Sequence, residues 1–89
     1  MKTSVENMTS SQGNSVPNQF ILRTDQGRYF QSYNSIIAFI PNEGPAQLDA
    51  KYWDYSKTTG TYRNQFLNET KKETEAKIKA GTYILTDLN

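Results

Sequence analysis

The sequence contains no cysteine and no histidine. The first absence excludes disulfide bonds and thiol catalysis. The second removes the side chain most often used as general base and metal ligand. A zinc site would have to be built from carboxylates alone, which suits that ion poorly. Charge of one sign is lacking as well: ten Lys and Arg stand against nine Asp and Glu. No global field therefore draws the chain toward nucleic acid or membrane. No stretch approaches the roughly 20 apolar residues of a membrane span. The first residues also lack the basic start and apolar run of a signal peptide. These absences lead to the expectation of a soluble, intracellular protein with no metal, no cofactor and no membrane partner.

Hydrophobic residues are scarce too, at 35% against the roughly 45–50% usual in globular chains, a figure that also counts glycine. Residues 1–18 (MKTSVENMTSSQGNSVPN) account for part of the deficit, being rich in Ser, Thr, Asn and Gln and free of aromatics. Such a segment buries too little apolar surface to offset its ordering entropy, so it is expected to be a flexible tail. Residues 19–89 are then expected to form one small domain.

What is present begins at Phe20. Phe20 to Thr24 (FILRT) is a β-type run, and Asp25-Gln26-Gly27 suits a three-residue hairpin with Gly27 in the left-handed conformation. Arg28 to Tyr33 (RYFQSY) is the return strand, with Phe20, Leu22 and Phe30 assigned to the core face and Arg23, Tyr29 and Tyr33 nearer the other. Ser35 to Ile40 (SIIAFI) is the most hydrophobic run, a buried central strand that ends at Pro41-Asn42-Glu43-Gly44-Pro45. Gln47-Leu48-Asp49 is a short return strand.

Helix signals follow. Ser56 or Thr58 can cap a first helix with Tyr62, Phe66 and Leu67 on one side, although Gly60 weakens its first turn. Thr70-Lys71-Lys72-Glu73 matches a capping box for a second. Glu73 with Lys77 and Glu75 with Lys79 are helical pairs in the favourable order, Ala76, Ile78 and Ala80 form a narrow apolar stripe, and Gly81 falls where the helix should stop. Thr82 to Thr86 (TYILT) reads as a last strand. The expected fold is α+β: a small antiparallel sheet of about four to five strands with two short helices packed on one face, in the order β-β-β-(β)-α-α-β.

The chemistry-bearing residues concentrate in Tyr52 to Leu67 (YWDYSKTTGTYRNQFL), which holds the only tryptophan. The candidate binding surface combines Arg28, Tyr29 and Tyr33 of the hairpin with Tyr55, Lys57 and Arg63. Aromatic platforms beside cations are what single-stranded nucleic acid requires, and tyrosine and arginine anchors are equally the chemistry of protein interfaces. Against this stands a structural reading, in which a domain short of Leu and Val uses its aromatics as core. Asp54, Ser56, Thr58, Thr59 and Arg63 could gather around a phosphate at a helix N-terminus, but no glycine-rich cradle or Walker lysine accompanies them. Helix capping, with Arg63 paired to Asp54 or Asp49, is the simpler account. No nucleophile-and-base pattern is present, so the protein is expected not to be an enzyme.

The strings YFQSYNSIIAFI (Tyr29 to Ile40) and LDAKYWDYSKTTGTYRNQFLNETKKETEAKIKAGTY (Leu48 to Tyr83) resemble those of small uncharacterised proteins from phages and mobile elements of low-GC bacteria. The likeness runs from about Arg28 to Leu85. It implies a cytoplasmic accessory protein of a bacterial host, acting by binding a host or defence protein or, alternatively, single-stranded nucleic acid. Pairing of an exposed sheet edge with a second copy would also be open to such a protein.

Overall fold

The computed structural model describes residues 3–89. Six strands form one sheet in chain order: β1 (Ser4–Thr9), β2 (Ser15–Thr24), β3 (Gly27–Ser32), β4 (Ser35–Pro41), β5 (Gln47–Asp49) and β6 (Ile84–Thr86). Two helices, α1 (Lys57–Leu67) and α2 (Lys71–Lys79), lie between β5 and β6. The first five strands pair antiparallel, and β6 joins β5 in parallel. A parallel neighbour requires a crossover of a dozen or more residues, which the helix pair supplies. The α+β class, the helix pair and the closing strand stand as expected. The sheet is wider by the N-terminal hairpin and is not wholly antiparallel.

That hairpin corrects the expected tail. Met1 and Lys2 lie outside the described residues, but Ser4–Thr9 is a strand paired along β2. Its turn is closed by Ser10 N–H to Asn14 O at 2.8 Å and Gly13 N–H to Ser10 O at 2.9 Å, with Gly13 at φ +82°. β1 is polar and mostly exposed, and one residue, Met8, enters the core. The Gln65 amide of α1 donates to Thr9 O at 2.9 Å and ties the strand down. A composition argument weighs side-chain burial. An edge strand is held largely by backbone hydrogen bonds, which any residue but proline can supply.

The strand register sorts the side chains into two rows that cross the whole sheet. Glu6, Ile21, Phe30, Ala38, Leu48 and Leu85 are consecutive partners on one face. This is the core row. Phe30, Ala38 and Leu48 are fully buried, and Phe66 of α1 stacks on Phe30 with ring centres 5.8 Å apart. Ile37, the extra residue of a bulge opposite Phe30 and Gln31, joins them. The adjacent row, on the face away from the helices, is Val5, Leu22, Tyr29, Phe39, Gln47 and Ile84. Phe20 and Leu22 therefore do not share a face with Phe30, and Ile21 does. FILRT is apolar at three consecutive positions, so alternation could not choose its inward face.

The β2–β3 loop is shorter than expected. Thr24 pairs with Gly27, leaving the two residues Asp25 and Gln26 between them. The Thr24 hydroxyl closes the loop, accepting from Gln26 N–H at 3.0 Å and donating to Gly27 O at 3.1 Å. Gly27 opens β3 at φ +148°, where a Cβ would land on the carbonyl oxygen of Ile40 and 2.7 Å from Pro41 Cα. Only glycine lets the two strands approach this closely.

Both helices start as their caps dictate. Ser56 caps α1, its Oγ accepting from Thr59 N–H, and Thr70 with Glu73 forms the full capping box of α2. On α2 the buried residue is Thr74, while Ala76 and Ala80 are exposed. Lys77 pairs with Glu69 at 2.6 Å instead of Glu73, because Glu69 is enclosed and also accepts from Tyr83 at 2.8 Å and from Thr74.

Candidate functional site

The segment from Ala50 to Ser56 connects β5 to α1 without regular structure, and two charged residues hold it in shape. Asp49, 2% exposed, accepts hydrogen bonds from the backbone N–H groups of Lys51 (3.1 Å) and Tyr52 (2.9 Å) on one oxygen. Its other oxygen accepts from Leu88 N–H (2.8 Å) and the Asn89 amide (3.0 Å). Burial by itself would raise the Asp49 carboxyl, but these donors outweigh it and hold it below the ordinary carboxylate range. The Asn89 amide also pairs with both backbone groups of Ile36, at 2.7 and 2.9 Å, covering the stretch of β4 that β5 is too short to reach.

Arg63 grips the same segment from beneath. It projects from α1 and is 1% exposed. Its Nη1 donates to Trp53 O (2.8 Å) and Asp54 Oδ1 (3.2 Å), its Nη2 donates to Asn64 Oδ1 (3.0 Å), and the guanidinium lies 5.2 Å from the Trp53 ring centre. Lys71 reaches Asp54 Oδ2 at 2.7 Å. Asp54 therefore sits below its ordinary pKa: burial opposes this, and the bonds and charges of Lys71 and Arg63 prevail.

A chain of hydroxyls joins this segment to the sheet. Ser56 Oγ donates to Thr59 Oγ1 at 3.1 Å, and Thr59 Oγ1 lies 2.8 Å from Ser32 Oγ at the end of β3. Beyond Ser32 the chain turns through Tyr33 and Asn34. Tyr33 adopts φ +57°, with its N–H donating to Asn18 O (2.7 Å) and its carbonyl accepting from the Gln31 amide (2.8 Å). A non-glycine residue held at positive φ by bonds on both sides is a fixed presentation.

Between this turn and the Tyr52–Thr58 segment opens a cleft of about 600 Å³. Its walls are Tyr33, Tyr52 and Tyr55, the hydroxyls of Ser32, Ser35, Ser56 and Thr58, and the Asn34 amide. No charged side chain lines it. Tyr52 and Tyr55 meet edge to face at 5.7 Å, leaving Tyr55 62% and Tyr33 45% exposed. A second hollow of about 430 Å³ shares Ser56 and contains Lys57, Lys71, Arg63 and Asp54. Among the described residues, no group of three or more acidic, His or Cys side chains could hold a metal.

The six residues singled out in the sequence do not form one surface. Tyr33 and Tyr55 both line the cleft, and Lys57 lies in the adjoining hollow. Arg28 lies on the helix-bearing face, 5.5 Å from the Phe66 ring centre. Tyr29 is on the opposite face, stacked on Phe39 at 4.2 Å. Arg63 is internal, and its predicted surface role gives way to the structural pairing with Asp54. The residues not foreseen are Ser32, Asn34 and Ser35. Their signal was the Gln31 to Ser35 string (QSYNS), a polar interruption between two apolar strands.

Fold and site together define a small α+β domain whose sheet is covered by helices on one face and which opens a neutral, tyrosine-lined cleft at its edge. The chain belongs to the DUF8033 family, a family of unknown function, whose match spans residues 3–81 and so includes the N-terminal hairpin. Neither a curated protein nor a solved structure matches it. Among the described residues, no helix is long and apolar enough to cross a membrane.

Proposed function

We propose that this protein is a non-enzymatic accessory protein of a phage or mobile element that acts by binding a host or defence protein, and that the tyrosine cleft receives the partner. The observation that carries the reading is that Tyr33 and Tyr55, both well exposed, line one cleft. Tyrosine offers large contact area with few rotatable bonds, and Ser and Asn supply adaptable hydrogen bonds around it. That mixture is characteristic of surfaces that bind proteins. The fixed backbone at Tyr33 lowers the ordering cost of association. The resemblance carried by the Tyr52–Ser56 string supports the accessory setting.

A second reading rests on Lys57 and Lys71, which flank the hollow beside the cleft. They could neutralise phosphates while the tyrosines stack on bases, making the partner single-stranded nucleic acid.

The test uses affinity capture from a bacterial lysate with wild type, Tyr33→Ala and Tyr55→Ala, beside anisotropy titrations of single-stranded DNA and RNA at low and physiological salt. Loss of one specific captured protein in both variants, with unchanged circular dichroism, is the expected result. Salt-sensitive nucleic-acid binding that both variants weaken would transfer the site to the second reading. Capture unaffected by either substitution would remove the cleft from the function.

A further inference from the structure

We infer that the face of the sheet opposite the helices is a self-association surface on which a second copy of this chain stacks, sheet against sheet. The inference is independent of the cleft.

The core row and the bare row are equally apolar, five residues of six in each. The first has the helices over it, although Leu85 at its β6 end is 42% exposed; the second has no helix over it, with Phe39 only 9% exposed against the Tyr29 ring and Leu22 and Tyr29 half-buried. In a sheet with one solvated face, strands alternate apolar and polar. Here Leu22, Tyr29 and Phe39 stand side by side on three consecutive strands where polar residues would be expected. The row beside this one (Asn7, Phe20, Gln31, Ile36) is continued on β5 and β6 by Asp49 and Thr86, and Asp49 is 2% exposed, so neither row carries an exposed charge. The charges of β1 to β3, namely Glu6, Arg23 and Arg28, all fall on the helix side. A face that is both apolar and free of exposed charge is suited to burial.

Three observations identify a second copy as the occupant. First, the row is aliphatic at both rims (Val5 and Ile84) and aromatic at its centre (the stacked Tyr29 and Phe39), with Leu22 and Gln47 between. A two-fold axis parallel to the strands would set Val5 of one copy over Ile84 of the other, aromatics on aromatics and Leu22 over Gln47. Self-complementarity of that kind is what a two-fold interface demands. Second, the size suits a small, concentration-dependent interface. Six strands at about 4.8 Å and about six residues at about 3.3 Å give a plan area of roughly 500 Å², below the roughly 800 Å² per partner of a standard interface and within the range of weaker ones. Third, the molecule measures 34 × 32 × 20 Å. It is a disc two layers thick, with the bare row on one flat side, and stacking a second disc at about 10 Å between sheets would complete a sandwich core.

The test is sedimentation of the full chain across the micromolar range, at low and high salt. The expected species is a dimer of twice the 10.2 kDa monomer mass, one that high salt does not dissociate, because the face carries no exposed charge. Val5→Arg with Ile84→Arg should return it to monomer. Both positions are exposed in the single chain, at 63% and 45%, so folding should survive, as circular dichroism would show. Because the chain has no cysteine, a mixture of the single variants Val5→Cys and Ile84→Cys should also crosslink to each other faster than either does to itself. A monomer at every concentration would overturn the inference and leave the face to some other partner. A dimer that ignores the paired charges, or an absence of mixed crosslinks, would equally overturn it.

Discussion

Replacing Arg63 by alanine separates an internal clamp from a surface contact. The side chain is 1% exposed and donates to Trp53 O, Asp54 Oδ1 and Asn64 Oδ1. Breaking a buried ion pair by removing one partner usually costs about 3–5 kcal/mol, since the other charge is stranded. Asp54 would not be stranded, because it is 37% exposed and keeps Lys71 at 2.7 Å. The orphaned Trp53 carbonyl and the cavity left beneath the indole remain, and together they set the loss at about 2–3 kcal/mol. That is a large part of the roughly 4–13 kcal/mol expected for a domain of this size. With a urea dependence of about 1 kcal/mol per molar, the unfolding midpoint should fall by about 2–3 M. The assay is urea unfolding followed by the fluorescence of Trp53, whose ring the guanidinium covers at 5.2 Å. Lys57→Ala, on an exposed side chain, should stay within about 0.5 kcal/mol of wild type. If Arg63→Ala proved as silent as Lys57→Ala, the clamp would be refuted.

Two further outcomes follow from the packing and the ion pairs. Gly27→Ala should cost about 3 kcal/mol or more, because its Cβ would collide with the backbone of Ile40 and Pro41 at φ +148°. Gly13→Ala and Gly44→Ala, where nothing lies within 4 Å, should cost about 1 kcal/mol through positive φ alone, and thermal melts that rank the three equally would contradict this. Glu69, Asp49 and Asp54 all have pKa values below their ordinary 4.5, 3.8 and 3.8, with hydrogen bonds and partner charges prevailing over burial. The folded state then binds fewer protons than the unfolded chain at acid pH. Their contribution is therefore complete above about pH 4.5 and is lost as pH falls through the depressed values. Melting temperature should fall along that limb, and Glu69→Gln should flatten it. An unchanged limb in the variant would show that Glu69 is not one of the groups responsible.

The elements whose boundaries depend on neighbours in sequence were legible in the chain itself. The helix starts at Ser56 and Thr70, the stop at Gly81 and the end of β4 at Pro41 rest on capping and turn chemistry that acts over three or four residues. The burial of SIIAFI followed from its composition. The reading failed where a strand is defined by its partner. Ser4–Thr9 has no apolar pattern of its own and becomes a strand because β2 offers it a ladder. FILRT is apolar on both faces and acquires an inner side only when Ile21 is set opposite Phe30. The site followed the same division. Tyr33 and Tyr55 could be picked out as candidates from their type, and the pairing of Arg63 with Asp54 was legible too, but the burial of Arg63 against the Trp53 carbonyl and indole was not. Local chemistry determined the helices, the turns and the apolar strands. The register between distant strands decided which of their side chains form the core, which line the cleft and which remain as a bare apolar row, because a shift of one residue exchanges the two faces of a sheet.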